Sequence, residues 1–201
     1  MTKKPSSTSP SPILPLFYKQ VVPLNKEVHG ELYVEGIEDY LHTKDTNSIY
    51  IAAVEFLQAS REYPIVFAKG KDDVVFPVAL LGLEQNQNVF IDKSGAWTAN
   101  YIPAYVRRYP FILATADDTK DNFTVCIDES FSGFNTIKKG KALFDDKGEH
   151  SDVLNNAVDF LKDYQNHVQL TTQFCENIGK LDILEPMQAN IERATGEKTS
   201  L

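Results

Sequence analysis

Apolar positions recur in steps of three and four from Leu154 to Ile178, through Ala157, Val158, Leu161, Tyr164, Val168, Thr171 and Cys175. That spacing draws one stripe along one side of an α-helix. Ser151 or Asp152 supplies a cap and Gly179 a stop, so the sequence predicts a helix over 152–178. A helix apolar along a single stripe must lay that stripe on something. What precedes it is a series of strand-like runs, and strands first with the long helix last favour α+β over a doubly wound α/β fold.

The strand-like runs begin with FYKQVVPL and HGELYV, separated by a polar break at Asn25–Glu27, followed by SIYIAA. Glu55 to Tyr63 has helical spacing, ended by Pro64. PIVFAK, VVFPVALLGL and NQNVFID then read as consecutive antiparallel strands between the breaks KGKDD and EQNQ. Pro77 has no amide to donate, which predicts a bulge or an edge there. DKSG is a turn, and PFILATA and FTVCID are strands joined by the acidic loop DDTKDN. Ser130 to Gly140 reads as a mobile connection, and Pro186 to Arg193 as a short helix before a polar tail. The expectation is an α+β fold: a mostly antiparallel sheet of six to eight strands covered by the long helix and some short ones. Residues 1–15 read as a flexible Ser/Pro-rich leader, 16–184 as one α+β domain, and 185–201 as a short helix and polar tail.

A chain of 201 residues with 42% hydrophobic side chains has enough material for a core without disulfide or metal staples. Cys126 and Cys175 lie far apart, outside any zinc spacing, and read as buried free thiols. A formal charge of -8 disfavours broad attraction to nucleic acid or anionic lipid. No stretch approaches the ~20 apolar residues of a membrane span, and the first residues lack the apolar run of a signal peptide. A cytoplasmic location is therefore expected.

YPIVFAK, FPVALLGL, NVFID followed by SGAW, YIPAYVRRYPF and LFDDKGE stand in an order and spacing that resemble the bacterial SapC family. This is the soluble, surface-layer-associated SapC, not the peptide-transporter permease of the same name. The resemblance covers roughly Phe17 to Leu184 and is most specific from Gly95 to Phe111. Family members usually continue beyond the long helix, whereas this chain ends at GEKTSL, which predicts a short or truncated variant. The resemblance implies a non-catalytic accessory or assembly role, linked to surface-layer formation or outer-membrane uptake systems. It carries over no catalytic residues.

Candidate binding residues cluster in that same segment: Trp97, Tyr101, Tyr105, Arg107, Arg108 and Tyr109. Arginine offers forked donors and stacks on rings, a combination that binding surfaces use. Pro103 predicts a short helix that puts Tyr101, Tyr105 and Arg108 roughly on one face. The structural alternative keeps Trp97, Ile102 and Val106 in the core and pairs the arginines with carboxylates. Both readings stand at this point.

Other motifs argue themselves down. His29, His42, His150 and His167 lack metal-ligand spacing, so structural or surface roles are expected. Asp145, Asp146, Gly148 and Glu149 lack the twelve-residue calcium-loop pattern and read as a turn before the long helix. Ser94-Gly95 is not a nucleophile elbow, and Gly70, Gly82 and Gly95 make no phosphate cradle. Cys126 beside Asp128 reads as buried and inert. No catalytic residue, metal or cofactor is expected, and a protein partner is favoured over a small ligand. The small-molecule alternative places its pocket along Trp97–Phe111, and a second alternative is an enzyme with residues scattered in sequence.

Overall fold

The computed structural model describes residues 14–115, 123–188, 190–192 and 198–200. Nine strands precede the long helix among the described residues: β1 (Val21–Pro23), β2 (Tyr33–Val34), β3 (Ser48–Tyr50), β4 (Ile65–Lys69), β5 (Val75–Leu80), β6 (Phe111–Thr115), β7 (Phe123–Asp128), β8 (Phe134–Asn135) and β9 (Lys141–Ala142). They form three antiparallel sheets ordered β1-β7-β6, β8-β2-β9 and β3-β5-β4. Short helices α1 (Lys26–His29), α2 (Phe56–Ala59) and α3 (Ala104–Arg107) interrupt the strands, and α4 (Asp152–Lys180) follows them. The fold is α+β and antiparallel with a long helix near its end, as the patterning predicts. These nine strands are divided among three sheets, the smallest made of the two-residue β2, β8 and β9.

Helix α4 is anchored as its sequence dictates. The Ser151 hydroxyl accepts from the Leu154 amide at 3.4 Å, and Leu154, Leu161, Tyr164, Thr171 and Cys175 are buried. Gly179 is not the stop; the helix continues to Lys180, and Asp182 at φ 50° takes the left-handed exit. The helix packs on β5, on β6 and on the 3₁₀ turn Ala53–Glu55. Thr171 pins that turn, its hydroxyl accepting from the Ala53 amide at 2.9 Å and donating to the His167 carbonyl at 2.6 Å. Leu154 and Leu161 join Val34, Phe111, Ile127, Leu143 and Phe144 in one core cluster. A second gathers Ile49, Ile51, Ala59, Tyr63, Ala79, Leu81 and Val106.

Four expectations are corrected. NQNVFID forms no strand; Asn88 is instead buried against Thr43, donating to its carbonyl and hydroxyl at 3.3 Å, and Ile91 bridges only to Trp97. Pro77 lies in the central strand of its sheet, opposite Phe67. The ladder to β3 ends at Tyr50↔Val78, and the Pro77 carbonyl accepts from Ile51 at 3.2 Å, so no donor is asked of the proline. Residues 130–140 are not a free connection, because β8 pairs with β2 and Lys139 meets Glu35 at 2.7 Å. The described residues of 186–193 are not helical: Asn190–Glu192 (β10) pairs with Lys198–Ser200 (β11), a partner strand overriding helix-compatible composition. The polar break at Asn25 becomes a cap for α1, accepting from the Glu27 amide at 2.8 Å. Both cysteines are free and buried, as expected. Residues 1–13 of the leader, the whole acidic loop DDTKDN, and residues 189, 193–197 and 201 of the last segment lie outside the described residues.

Candidate functional site

Pro103 opens α3, its carbonyl accepting from the Arg107 amide at 3.1 Å. The first amide of that helix, at Ala104, has no partner within the helix. It donates to Glu55 Oε1 at 2.8 Å, and the Tyr101 hydroxyl donates to the same oxygen at 2.7 Å. Glu55 Oε2 accepts from the Ala52 amide at 2.8 Å. A carboxylate only 5% exposed is thus held by three donors, which offsets its desolvation and clamps the 52–55 turn to the 101–104 segment. The Tyr101 hydroxyl is pushed well above its ordinary value, first by burial and then by the Glu55 carboxylate.

An open cleft of about 540 Å³ lies beside this clamp. Its walls are Val54 and Gln58 on one side, Asn100, Tyr101 and Ile102 on another, and Phe160, Asp163, Tyr164 and His167 of α4 on the third. Arg107 stands at the rim. Its Nε donates to the Ile102 carbonyl at 2.9 Å, and its guanidinium lies 5.1 Å from the Phe160 ring centroid and 5.8 Å from that of Tyr101. The side chain is exposed yet braced, and among the described residues no carboxylate is within ion-pair distance of it. Such an arginine presents a fixed, uncompensated cation.

Arg108 turns the other way. Its guanidinium lies 3.8 Å over Tyr105 and within 5.3 Å and 5.5 Å of Tyr164 and Tyr18. Its buried Nε has no hydrogen-bond partner among the described residues. Burial drives the Tyr18 and Tyr164 hydroxyls well above their ordinary range, with Arg108 opposing. Tyr164 lines the cleft, so Arg108 supports its floor from behind. Tyr105 sits in the same stack, its hydroxyl accepting from the Leu16 amide at 3.1 Å.

Trp97 and Tyr109 are packing residues in this arrangement. The indole of Trp97 donates to the Tyr63 hydroxyl at 2.9 Å, and that hydroxyl donates to the Tyr101 carbonyl. Burial pushes Tyr63 up to about 12. Gly95 makes the turn before Trp97 with φ 88°, and a Cβ there would meet Asp39 and Leu41 at 2.8 Å. Tyr109 is buried and stacks on His42 at 4.5 Å, whose imidazole is held down by burial. Of the six residues singled out in the sequence, the cleft takes Tyr101 and Arg107. Tyr105 and Arg108 lie behind it, Trp97 packs half-buried against the second core cluster, and Tyr109 is in the interior. Neither arginine pairs with a carboxylate among the described residues.

Glu55, Phe160, Asp163 and His167 complete the cleft without having been singled out as binding residues. Phe160, Asp163 and His167 share a helix flank at three- and four-residue spacing, a signal visible in the sequence once a wall on α4 is sought. Candidate nucleophiles are muted: burial raises both cysteine thiols, and the Ser94 hydroxyl is engaged by Asp92 at 2.7 Å. No group of His, Cys, Asp and Glu among the described residues is arranged to hold a metal ion. The LFDDKGE segment is a turn, Asp145 accepting from the Lys147 and Glu149 amides at 2.8 Å. Compared with protein families, the chain matches the family described as SapC over residues 24–201, further toward the C-terminus than Leu184. No curated protein and no solved structure matches it.

Proposed function

The chain belongs to the SapC family, and from that premise and the cleft we propose a non-catalytic accessory or assembly protein that binds a partner protein. The observation that carries the reading is Arg107, braced at the rim of an open cleft without a carboxylate partner among the described residues. A guanidinium fixed before its partner arrives loses little entropy on pairing. A binding role is favoured over catalysis because Glu55, the buried carboxylate of the cleft, is engaged by three structural donors. Service to surface-layer or outer-membrane uptake systems, and a cytoplasmic location, belong to the same proposal. No helix among the described residues is long and apolar enough to cross a membrane. A small-molecule occupant is the second reading, favoured by a cleft volume of about 540 Å³ that suits such ligands.

Pull-down from native lysate with mass spectrometry, run on wild type, Arg107→Ala and Arg108→Ala beside their melting curves, tests this. Arg107→Ala is expected to cut partner recovery about tenfold with melting nearly unchanged. Arg108→Ala is expected to cost about 2 kcal/mol of stability while retaining the partner, since it loses packing over three rings. Recovery untouched by Arg107→Ala would remove the cleft as the binding site. A low-mass compound released on denaturing the purified protein would favour the second reading.

A further inference from the structure

Resting on the reading of the cleft as a protein-binding site, the geometry points to its occupant: an extended segment of the partner carrying an acidic side chain at one end and bulky apolar side chains at the other. On α4, Phe160, His167 and Phe174 stand seven residues apart and share one stripe, flanked by Asp163 and Leu170. Phe160, Asp163 and His167 line the cleft. The wall therefore continues along the helix into Leu170, 60% exposed, and Phe174, 37% exposed. The opposite lip continues in the same way. Val54 lines the cleft and is 62% exposed, Leu57 is 74% exposed, and Phe56 between them meets Phe174 ring to ring at 6.0 Å. Leu170, Phe174, Val54 and Leu57 thus leave an exposed apolar shelf running on from the cleft, a surface suited to a partner's apolar side chains.

Charge sets the direction of the occupant. Arg107 lies against Phe160, at the far end from Phe174, and is the place for a carboxylate. Asp163, exposed one turn further along, would repel a second acid and confines the first to the Arg107 end. Phe160 and Phe174 are about 21 Å apart along the helix, which about six residues of extended chain span. A single cation in a chain of charge -8 does not suit a nucleic-acid backbone, whereas it suits one acidic side chain.

The test uses the full chain and immobilised synthetic peptides in which Asp stands about six positions from a Leu-Phe pair. Control peptides carry Lys for the Asp, or Ser for the apolar pair. Only the Asp/apolar peptides should be retained, and Arg107→Glu and Leu170→Asp should each weaken retention about tenfold. Arg107→Glu should also turn the preference toward the Lys peptides. Leu57→Asp on the opposite lip is an independent check, and the exposure of all three sites predicts wild-type melting. No retention of any peptide, or retention indifferent to the Asp-to-Lys exchange, overturns the proposal. Loss with Arg107→Glu but not with Leu170→Asp or Leu57→Asp removes the shelf and leaves the cleft reading standing. Indifference to all three removes both.

Discussion

Asp128 is fully buried at the end of β7 and holds the chain entering β1 in place. One oxygen accepts from the Lys19 amide at 2.8 Å, the other from the Gln20 amide at 3.0 Å and from the Ser130 amide and hydroxyl at 3.0 and 2.7 Å. Burial alone would raise its carboxyl, but the Ser130 hydroxyl and these amides outweigh burial and hold it below the usual carboxylate value. The native state then binds fewer protons than the unfolded chain near that value. The stabilisation is fully present above the unfolded pKa of about 3.9 and is lost as pH falls through the lower folded value. Asp128→Asn turns one acceptor into a donor facing an amide donor, and is expected to cost about 3 kcal/mol at neutral pH. Melting of both proteins between pH 7 and pH 3 checks this: the gap should narrow at the acid end. A gap unchanged across the range would show that the charge is not what matters. Next door, the Asn25 amide donates to His29 Nδ1 at 3.0 Å, so the proton sits on Nε2 and is donated to Glu129 at 3.2 Å.

At the scale of the element, α4 offers a contrast within one helix. Leu161 is 3% exposed among core residues, so Leu161→Asp puts an unpaired charge into an apolar contact and should cost about 4 kcal/mol in denaturant unfolding. A variant unfolding like wild type would mean that the stripe is not buried. That stripe was legible because a helix repeats its contacts every three or four residues, and every residue from Leu154 to Cys175 at those steps is at least half-buried. The strands β4, β5, β6 and β7 were legible for the same reason of pattern. The run at Val89–Ile91 was not, because apolar composition cannot tell a strand from a loop anchored by one side chain such as Asn88. The exit of α4 was misread at Gly179 because the left-handed residue is Asp182. In the cleft, Pro103 announced α3, and with it the neighbourhood of Tyr101 and Arg107. Its other walls come from residues about fifty positions away on either side, and one sequence does not state which helix flank meets which turn.

At the scale of the whole molecule, α4 links two core clusters formed by different sheets. Its first half carries Leu154 and Leu161 into the cluster with Phe111 and Ile127, while Thr171 ties its second half to the turn leading into α2. Ala59 of α2 belongs to the other cluster, with Ile51 and Leu81. A third contact runs through Arg108, which lies against Tyr164 of α4 and Tyr18 at once. Packing of this kind makes the loss of either cluster strip the helix that the other needs, so unfolding should be a single cooperative transition. The chain has one tryptophan, Trp97, which packs against the second cluster and reports on it by fluorescence. Far-UV circular dichroism reports chiefly on α4, the one long helix among the described residues. Leu154→Ala empties a site in the first cluster and should cost about 3 kcal/mol. The expected outcome is that Leu154→Ala lowers the Trp97 transition and the helix transition together and by the same amount, although Leu154 is not a member of the cluster that Trp97 reports. A Trp97 transition left in place while the helix signal moves would show that the clusters unfold independently and that α4 does not couple them.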